Sequence, residues 1–166
     1  VTGLDDGTLT LTVYLTDPAG NQGTSTTDTV TKDVVAPTVI AGNISISGAS
    51  GASGEYIIGD TVTATWNNSG SGDNNTDILS VTVNFTEFGG AATVTATQAS
   101  GIWTATYTVA TGTINDGVAD KNVFVTATDN AGNITTTEDN TNATVDNQAP
   151  AGYTVSIDQP YINDSN

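Results

Sequence analysis

The sequence contains no cysteine, no histidine and no methionine, and its only basic side chains are Lys32 and Lys121. Without Cys or His the chain has no thiol nucleophile, no imidazole base and none of the soft ligands that hold zinc, copper or haem. The absence of Cys also excludes a disulfide scaffold. Carboxylate, hydroxyl and amide groups remain, and we therefore do not expect an enzyme.

The shortage of basic residues leaves a formal net charge of −16 at pH 7. Nucleic-acid phosphates and anionic membrane surfaces attract Lys and Arg, so we expect neither nucleic acid nor a membrane surface as a partner. Calcium fits the charge better. The sequence has neither a signal peptide nor an apolar run long enough to cross a membrane, which suggests an internal piece of a longer exported protein.

Alternation of apolar and polar residues is the main structural pattern. Val62, Ala64 and Trp66 alternate with threonines, and residues 8–15 alternate in the same way. This period of two is typical of half-buried strands, and the abundance of Thr also favours sheet. No helical period competes with it. The sequence predicts an all-β fold, with Trp66 and Trp103 on inward faces.

The chain repeats one pattern at a spacing of 110 to 113 residues. The pattern runs from Asp6 to Pro37 and again from Asp116 to Pro150. It consists of an Asp-Gly pair, a strand, an Asp-x-Ala-Gly-Asn turn, a Thr-rich strand and an Asp-x-x-Ala-Pro segment. A period of about 112 residues suits one seven-stranded sandwich, which typically needs about 100. We therefore expect the last two strands of one repeat in residues 1–33, a complete repeat in residues 34–146 and the start of the next in residues 147–166.

Within the complete repeat the pattern predicts about seven strands. A Ser-Gly-Ala stretch at residues 47–54 is interpreted as a flexible loop between the first two of them. The predicted strands span residues 39–47, 61–67, 78–86, 92–97, 102–109, 122–128 and 134–145.

These features resemble the bacterial Ig-like repeats of large adhesins and other surface proteins. Residues 54–62 resemble the lead-in to strand B of such repeats, residues 126–133 resemble their F–G turn, and Asp-x-x-Ala-Pro resembles their linker. The resemblance implies an immunoglobulin-like antiparallel β-sandwich, an extracellular or cell-surface location and a supporting role for calcium. It implies no substrate.

The loop that contains Asp73, Asn75 and Asp77 is the strongest candidate for metal binding. Oxygen ligands at alternate positions can converge on one hard cation, as in the first half of an EF-hand loop. The loop is not an EF-hand, because Ile78 replaces the required glycine and Asn84 stands where a bidentate Glu belongs. A polar turn without metal is the alternative.

The expected topology adds further acidic residues to this site. In an Ig-like sandwich the entry of the first strand, the B–C loop and the F–G loop share one end, so Asp33, the Asp73–Asp77 loop and the turn at Asp129–Asn133 should meet there. Carboxylates that converge are costly unless a cation neutralises them. The preceding repeat would add Asp5 and Asp6 to this calcium site, and the equivalent lower cluster would comprise Asp60, Asp116, Asp120 and Asp146.

The sequence thus predicts an extender or stalk repeat of a bacterial adhesin, stiffened by calcium where repeats meet. Its partners would be adjacent repeats or neighbouring copies, with any glycan or host ligand bound through other domains. A ligand-binding Ig-like module and a filament subunit assembled by strand donation are the alternatives. Because a lone two-stranded hairpin is marginal in water, we expect the strands of residues 1–33 and of 153–162 to be completed by neighbouring chains or other parts of the assembly.

Overall fold

A computed structural model of the chain describes residues 3–115 and 117–156. The predicted all-β class is confirmed, since every regular element of this part of the chain is a strand or a short 3-10 turn. The 3-10 turns span Ala41–Asn43 and Thr86–Phe88. The strands are β1 (Gly7–Val13), β2 (Thr26–Lys32), β3 (Ile44–Ser47), β4 (Tyr56–Ile57), β5 (Thr61–Asn67), β6 (Ile78–Asn84), β7 (Val94–Thr95), β8 (Thr97–Ala99), β9 (Ile102–Thr108), β10 (Phe124–Asp129), β11 (Ile134–Glu138) and β12 (Val145–Asp146).

Two four-stranded antiparallel sheets form a β-sandwich. One sheet has the order β3-β5-β9-β8 and the other has the order β11-β10-β6-β7. Alternation decides which residues face inward: in β5 the apolar side chains are buried and the threonines between them are more exposed. The same alternation holds in β6 from Val81 to Asn84 and in β10 from Val125 to Thr128. The inward residues of both sheets belong to one core, as sheet packing requires.

The core is built around a few large side chains. Trp66, Phe85 and Phe88 are fully buried, and Tyr56 packs edge-on against Phe88 with ring centroids 5.3 Å apart. Trp103 is half-buried against the same core, so the predicted inward placement of both tryptophans is confirmed. All buried core residues lie between positions 39 and 145.

The strand boundaries differ from the prediction where the chain changes sheets. The single strand expected at residues 92–97 is divided into β7, in one sheet, and β8, in the other, with buried Ala96 between them. The long last strand expected at residues 134–145 is divided into β11 and β12. The latter pairs in parallel with β4, a short strand that local alternation does not reveal.

The strands β1 and β2 form a separate antiparallel sheet, here called the ribbon. Leu9 stands opposite Val30, and Leu11 stands opposite Asp28. Opposed residues share a face, so leucines and valines collect on one side of the ribbon, while three Thr–Thr pairs form the other. Leu11 and Val30 are each 65% exposed.

None of the described residues belongs to a helix that is long and apolar enough to span a lipid bilayer.

Candidate metal centre

The candidate centre is built on the turn that follows β10. The carboxylate of Asp129 accepts hydrogen bonds from the backbone N–H of Ala131 (2.9 Å) and of Asn133 (2.8 Å) on Oδ1, and from Nδ2 of Asn133 (2.8 Å) on Oδ2. Gly132 adopts a φ of +90°, a left-handed conformation that glycine accepts readily. The side chain of Asp129 therefore closes the turn and points its oxygens at the end of the sandwich.

The same turn occurs at Asp17. There the carboxylate accepts the equivalent three hydrogen bonds from Ala19 and Asn21, at 2.9, 2.8 and 2.8 Å, and Gly20 has a φ of +92°. The repeated sequence Asp-x-Ala-Gly-Asn thus produces one repeated geometry, with side-chain amide and backbone donors on the carboxylate in both copies.

These hydrogen bonds keep Asp129 in its charged form. Burial raises the pKa of Asp129, but the hydrogen bonds from the side chain and backbone of Asn133 and from the backbone of Ala131 and Gly132 together outweigh it, so the pKa lies below its usual value. A carboxylate that accepts several N–H donors is stabilised as the anion. Asp129 is thus a fully buried negative charge at the end of the sheet.

Two further carboxylates meet Asp129 at this end. Oxygens of Asp33, Asp77 and Asp129 all lie within 4.8 Å of one another, and this acidic triad is the one such group of three acids among the described residues. Asp77 is placed by sheet pairing, because Ile78 stands opposite Asp129 in the ladder between β6 and β10. Asp33 follows β2, and its carbonyl oxygen accepts a long hydrogen bond (3.4 Å) from Nδ2 of Asn133.

The donor set of the triad fits a hard divalent cation. Calcium binds 6–8 oxygen ligands at about 2.3–2.6 Å, so two ligands on opposite sides of one ion are about 5 Å apart, which matches the spacing of the triad. Both lysines of the chain pair with carboxylates outside the triad: Lys32 pairs with Asp6 at 2.9 Å, and Lys121 pairs with Asp120. A calcium ion at the triad would neutralise carboxylates that otherwise repel one another.

Asp73 and Asn75, predicted as ligands of the same ion, have a different use. Asp73 accepts hydrogen bonds from Nε1 of Trp66 (2.6 Å), the backbone N–H of Ile40 (2.9 Å) and Nδ2 of Asn43 (2.5 Å). Oδ1 of Asn75 accepts a hydrogen bond from the backbone N–H of Thr38, and Nδ2 of Asn75 donates one to the carbonyl oxygen of Thr38, at 2.8 Å each. The two side chains thus tie residues 38–43 to the loop between β5 and β6. Asp73 is not a member of the triad.

The remaining predicted ligands lie apart from the triad. Asp5 is exposed, Asp6 pairs with Lys32, and Asp120 pairs with Lys121. At the lower end, Asp60 accepts the backbone N–H of Ser50 (2.9 Å) and of Ile57 (3.0 Å), while Asp146 accepts that of Gln148 (3.1 Å). Asp116 lies outside the described residues. Across residues 3–115 and 117–156 the lower cluster does not bring three acids together as the triad does.

One acidic residue that the sequence interpretation missed is Asp139. It is only 4% exposed, and neither of its carboxylate oxygens accepts a hydrogen bond of normal geometry. Burial raises the pKa of Asp139, and the nearby hydroxyl and N–H of Thr141 offset only part of that rise. Burial, and then the charges of Asp139 and Asp60, raise the pKa of Tyr56 to about 12. Asp139 directly follows β11, whose three consecutive threonines give no local signal of burial.

No protein-family model and no curated protein matches the chain significantly. The case for a function therefore depends on the repeated turn, the acidic triad and the two-sheet architecture themselves.

Proposed function

We propose that the chain is an extender segment of a bacterial cell-surface or secreted adhesin, made of Ig-like sandwiches in series and stiffened by calcium where they join. The observation that carries the proposal is the acidic triad. Asp33 belongs to the segment that leaves the ribbon, whereas Asp77 and Asp129 belong to the sandwich. An ion held by all three would fix the connection between the two parts.

Several features support a structural role. Asp17, Asp60 and Asp146 accept hydrogen bonds within turns, and Asp73 ties two segments together. The two hairpins use one turn design. The order of strands in the two sheets supports the Ig-like assignment, because β5 pairs with β9 and β6 pairs with β10 at the sheet centres, as strands B with E and C with F do in that fold. The short strand β7 extends the second sheet from three strands to four. Stacked repeats that each contact only their neighbours form extended rods.

A ligand-binding module is the second candidate. A surface hollow near the same end brings together side-chain amides and one aromatic ring, and such groups can bind sugars through hydrogen bonds and stacking. Its lining residues are Asn68, Asn75, Thr76, Ile78, Gln98 and Trp103. Binding of the chain to a glycan array, and its loss in Trp103→Ala, would favour this candidate over the extender.

Thermal melts in calcium, magnesium and chelator test the extender proposal. Calcium should raise the melting midpoint, because an ion that binds only the folded state stabilises it by RT ln(1 + [L]/Kd), about 2.7 kcal/mol when calcium is at 100 times its Kd. Magnesium should raise it less, since it gives up water reluctantly and tolerates irregular sites poorly. Identical midpoints in all three conditions would remove calcium from the proposal.

The matched variants are Asp77→Ala and Asp28→Ala. Asp77→Ala deletes one charged ligand but keeps the backbone oxygen that accepts a hydrogen bond from the N–H of Asn130 (3.0 Å), so the sheet should remain intact while calcium affinity falls. Asp28 is exposed on the ribbon and outside the triad, so its variant should bind calcium like the parent in calorimetry. If Asp77→Ala also binds like the parent, the loop is only a turn.

A further inference from the structure

The ribbon has an apolar face and a free strand edge that no other described strand covers. On that face and just beyond it, Leu11 is 65% exposed, Val13 is 50% exposed and Leu15 is 82% exposed. An isolated two-stranded sheet is marginally stable in water, and an open edge exposes unpaired backbone groups. The ribbon therefore has the properties of one half of an interface.

The structure also contains this hairpin in its covered form, as β10 and β11. The shared turn places Asp17 on Asp129, a shift of 129 − 17 = 112 residues. The same shift places the bridge between Thr16 and Gln22 on the pair formed by Thr128 and Ile134. The first pairing beside the turn is thus the same in both hairpins. Farther from the turn the pairing in the ribbon is offset by one residue, since Val13 stands opposite Thr26 whereas Val125 stands opposite Thr137.

The alignment shows what the apolar face of the ribbon corresponds to. The matched core positions of β10 and the residue before it are 0%, 1% and 0% exposed. The shift of 112 residues places Leu11 on Val123, Val13 on Val125 and Leu15 on Ala127. Leu11, Val13 and Leu15, each at least half exposed, therefore align with fully buried positions of the sandwich.

Two neighbours cover β10 in the sandwich. One edge of β10 pairs with β11 and the other pairs with β6, from Phe124 opposite Asn84 to Asp129 opposite Ile78. The face of β10 packs into the core that also contains Trp66 of the opposite sheet. By position, β10 corresponds to residues 12–17, so a β6-like strand would join beside the end of β1 and the four residues that follow it. The leucine face corresponds to the one that meets the β5 sheet.

We propose that the ribbon docks a polypeptide that supplies the strands corresponding to β3–β9 of the same sandwich, with the pattern of residues 38–109. A β6-like strand adds to the free edge of β1, and a β5-like sheet covers Leu11, Val13 and Leu15. Strand addition of this kind combines backbone hydrogen bonds with alternate side-chain contacts. The inference rests on the repeat architecture of the proposed function and names the partner that this architecture requires.

Other occupants fit the ribbon less well. A second intact copy offers no free β6-like strand, because both edges of its β6 are already paired, with β10 and β7. A lipid surface is disfavoured because the chain has only two basic side chains and a net charge of −16, whereas anionic membrane surfaces attract Lys and Arg. The free edge and the leucine face of the ribbon therefore fit strands like those that cover β10 in the sandwich.

A graft onto the full chain tests the proposal. Residue 1 aligns with residue 113 at the shift of 112, so a copy of residues 34–112 fused ahead of Val1 restores two successive units of the pattern. Amide hydrogen exchange is then compared between the fusion and the unfused chain, in chelator. We expect exchange in β1 to slow at least about 100-fold in the fusion, because opening then requires unfolding of a sandwich.

Two sets of variants make the test specific. Leu11→Thr with Val13→Thr keeps residues that favour strands but removes the apolar face, so protection in the fusion should be lost. Val81→Lys with Val83→Lys in the grafted copy alone should have the same effect, because it spoils the β6-like strand.

Three results would overturn the proposal. One is fast exchange in β1 of the fusion while residues 38–145 of the original sandwich stay protected. Another is equal protection with and without the Thr substitutions. The third is concentration-dependent protection of the unfused chain, which would identify a second copy as the partner. Because the experiment is done in chelator, its failure is separate from failure of the calcium proposal, which the melts decide.

Discussion

Asp129 and Asp139 are both buried aspartates of one hairpin, yet their surroundings favour opposite charge states. The carboxylate of Asp129 accepts three hydrogen bonds, whereas that of Asp139 accepts none of normal geometry. Accordingly the pKa of Asp129 lies below the ordinary value and the pKa of Asp139 lies above it. The donors around each carboxylate, and not burial alone, decide which charge state the fold stabilises.

Asp139→Asn should stabilise the protein at neutral pH. Because burial raises the pKa of Asp139 above its ordinary value of 3.8, the folded state holds the proton more tightly than the unfolded state. The stability that protonated Asp139 gives the parent is therefore complete below the unfolded pKa and is lost as pH rises through the folded pKa. At pH 7 the variant should raise the free energy of unfolding by about 1–3 kcal/mol, the usual penalty of an unsatisfied buried polar group, as measured by urea denaturation.

The exposed Asp28 provides the control for this prediction. Asp28→Asn should leave the free energy of unfolding unchanged at pH 7, since its carboxylate is in solvent. The gain from Asp139→Asn should also disappear near pH 3, where both states of the parent carry the proton. A variant less stable than the parent at pH 7 would mean that the Asp139 carboxylate has a favourable partner when ionised.

Asp73→Ala should destabilise the sandwich in the absence of any metal. Its carboxylate accepts the indole N–H of Trp66, a residue only 1% exposed, and an orphaned buried donor costs about 1–3 kcal/mol. Urea denaturation in chelator, followed by tryptophan fluorescence, should show this loss, and Asp73→Asn should show a smaller one because it retains an acceptor oxygen. Asp77→Ala, measured the same way, should change little. Equal losses at both positions would mean that Asp73 has no special part in the fold.

At the scale of the element, one turn sequence is used in two settings. Asp129→Ala and Asp17→Ala remove the same three hydrogen bonds, but only Asp129 joins strands of the sandwich. Asp129→Ala should lower the melting midpoint seen by near-UV circular dichroism of the buried tryptophan, and Asp17→Ala should leave it unchanged. Because the pKa of Asp129 lies below its ordinary 3.8, the stabilisation is present above that pH and is lost as pH falls through the folded pKa. An equal drop in both variants would contradict this difference.

Local pattern predicts the central strands well, and the boundaries fail where tertiary contacts decide them. The second strand of the repeat, Thr61–Asn67, has the predicted bounds, because it is central and alternates throughout. The division at Ala96 and the pairing of β4 with β12 depend on residues far apart in sequence. The Ser-Gly-Ala stretch expected to be a flexible loop is held by two hydrogen bonds from Ser50 to Asp60, at 2.9 and 2.5 Å, which composition could not indicate.

The sequence predicts which loops form the candidate site, but it does not predict which side chains in those loops meet. Knowing which loops share one end of a sandwich was enough to expect Asp33, the Asp73–Asp77 loop and residues 129–133 at one end, but not to say that Asp33, Asp77 and Asp129 are the acids that meet there. The alternating spacing of the B–C loop suggested three ligands, but Asp73 and Asn75 bond to the incoming chain instead. Donors from residues 38–43 compete for those oxygens, and spacing within one loop carries no information about such competitors.

At the scale of the whole molecule, repulsion among acids is the general cost that this chain must offset. With a net charge of −16, the folded state concentrates like charges, and self-repulsion destabilises compact proteins. Screening by salt and binding of a cation can both reduce this repulsion, but they act over different distances. Simple salt screens charges farther apart than the Debye length, about 30 Å at 0.01 M and about 10 Å at 0.1 M. It cannot do the same for the triad, whose oxygens lie within 4.8 Å of one another.

Sodium chloride and calcium should therefore stabilise the chain in separable ways. Raising NaCl from 0.01 to 0.3 M should raise the melting midpoint gradually in the parent and in Asp77→Ala alike, since both carry nearly the same total charge. Calcium added at constant ionic strength should give a further rise that saturates, because it fills a site, and Asp77→Ala should lose most of that rise while keeping its response to NaCl. Differential scanning calorimetry across both titrations measures the two effects in one set of samples. If the calcium effect vanishes once ionic strength is held constant, general screening accounts for it and the triad binds no ion.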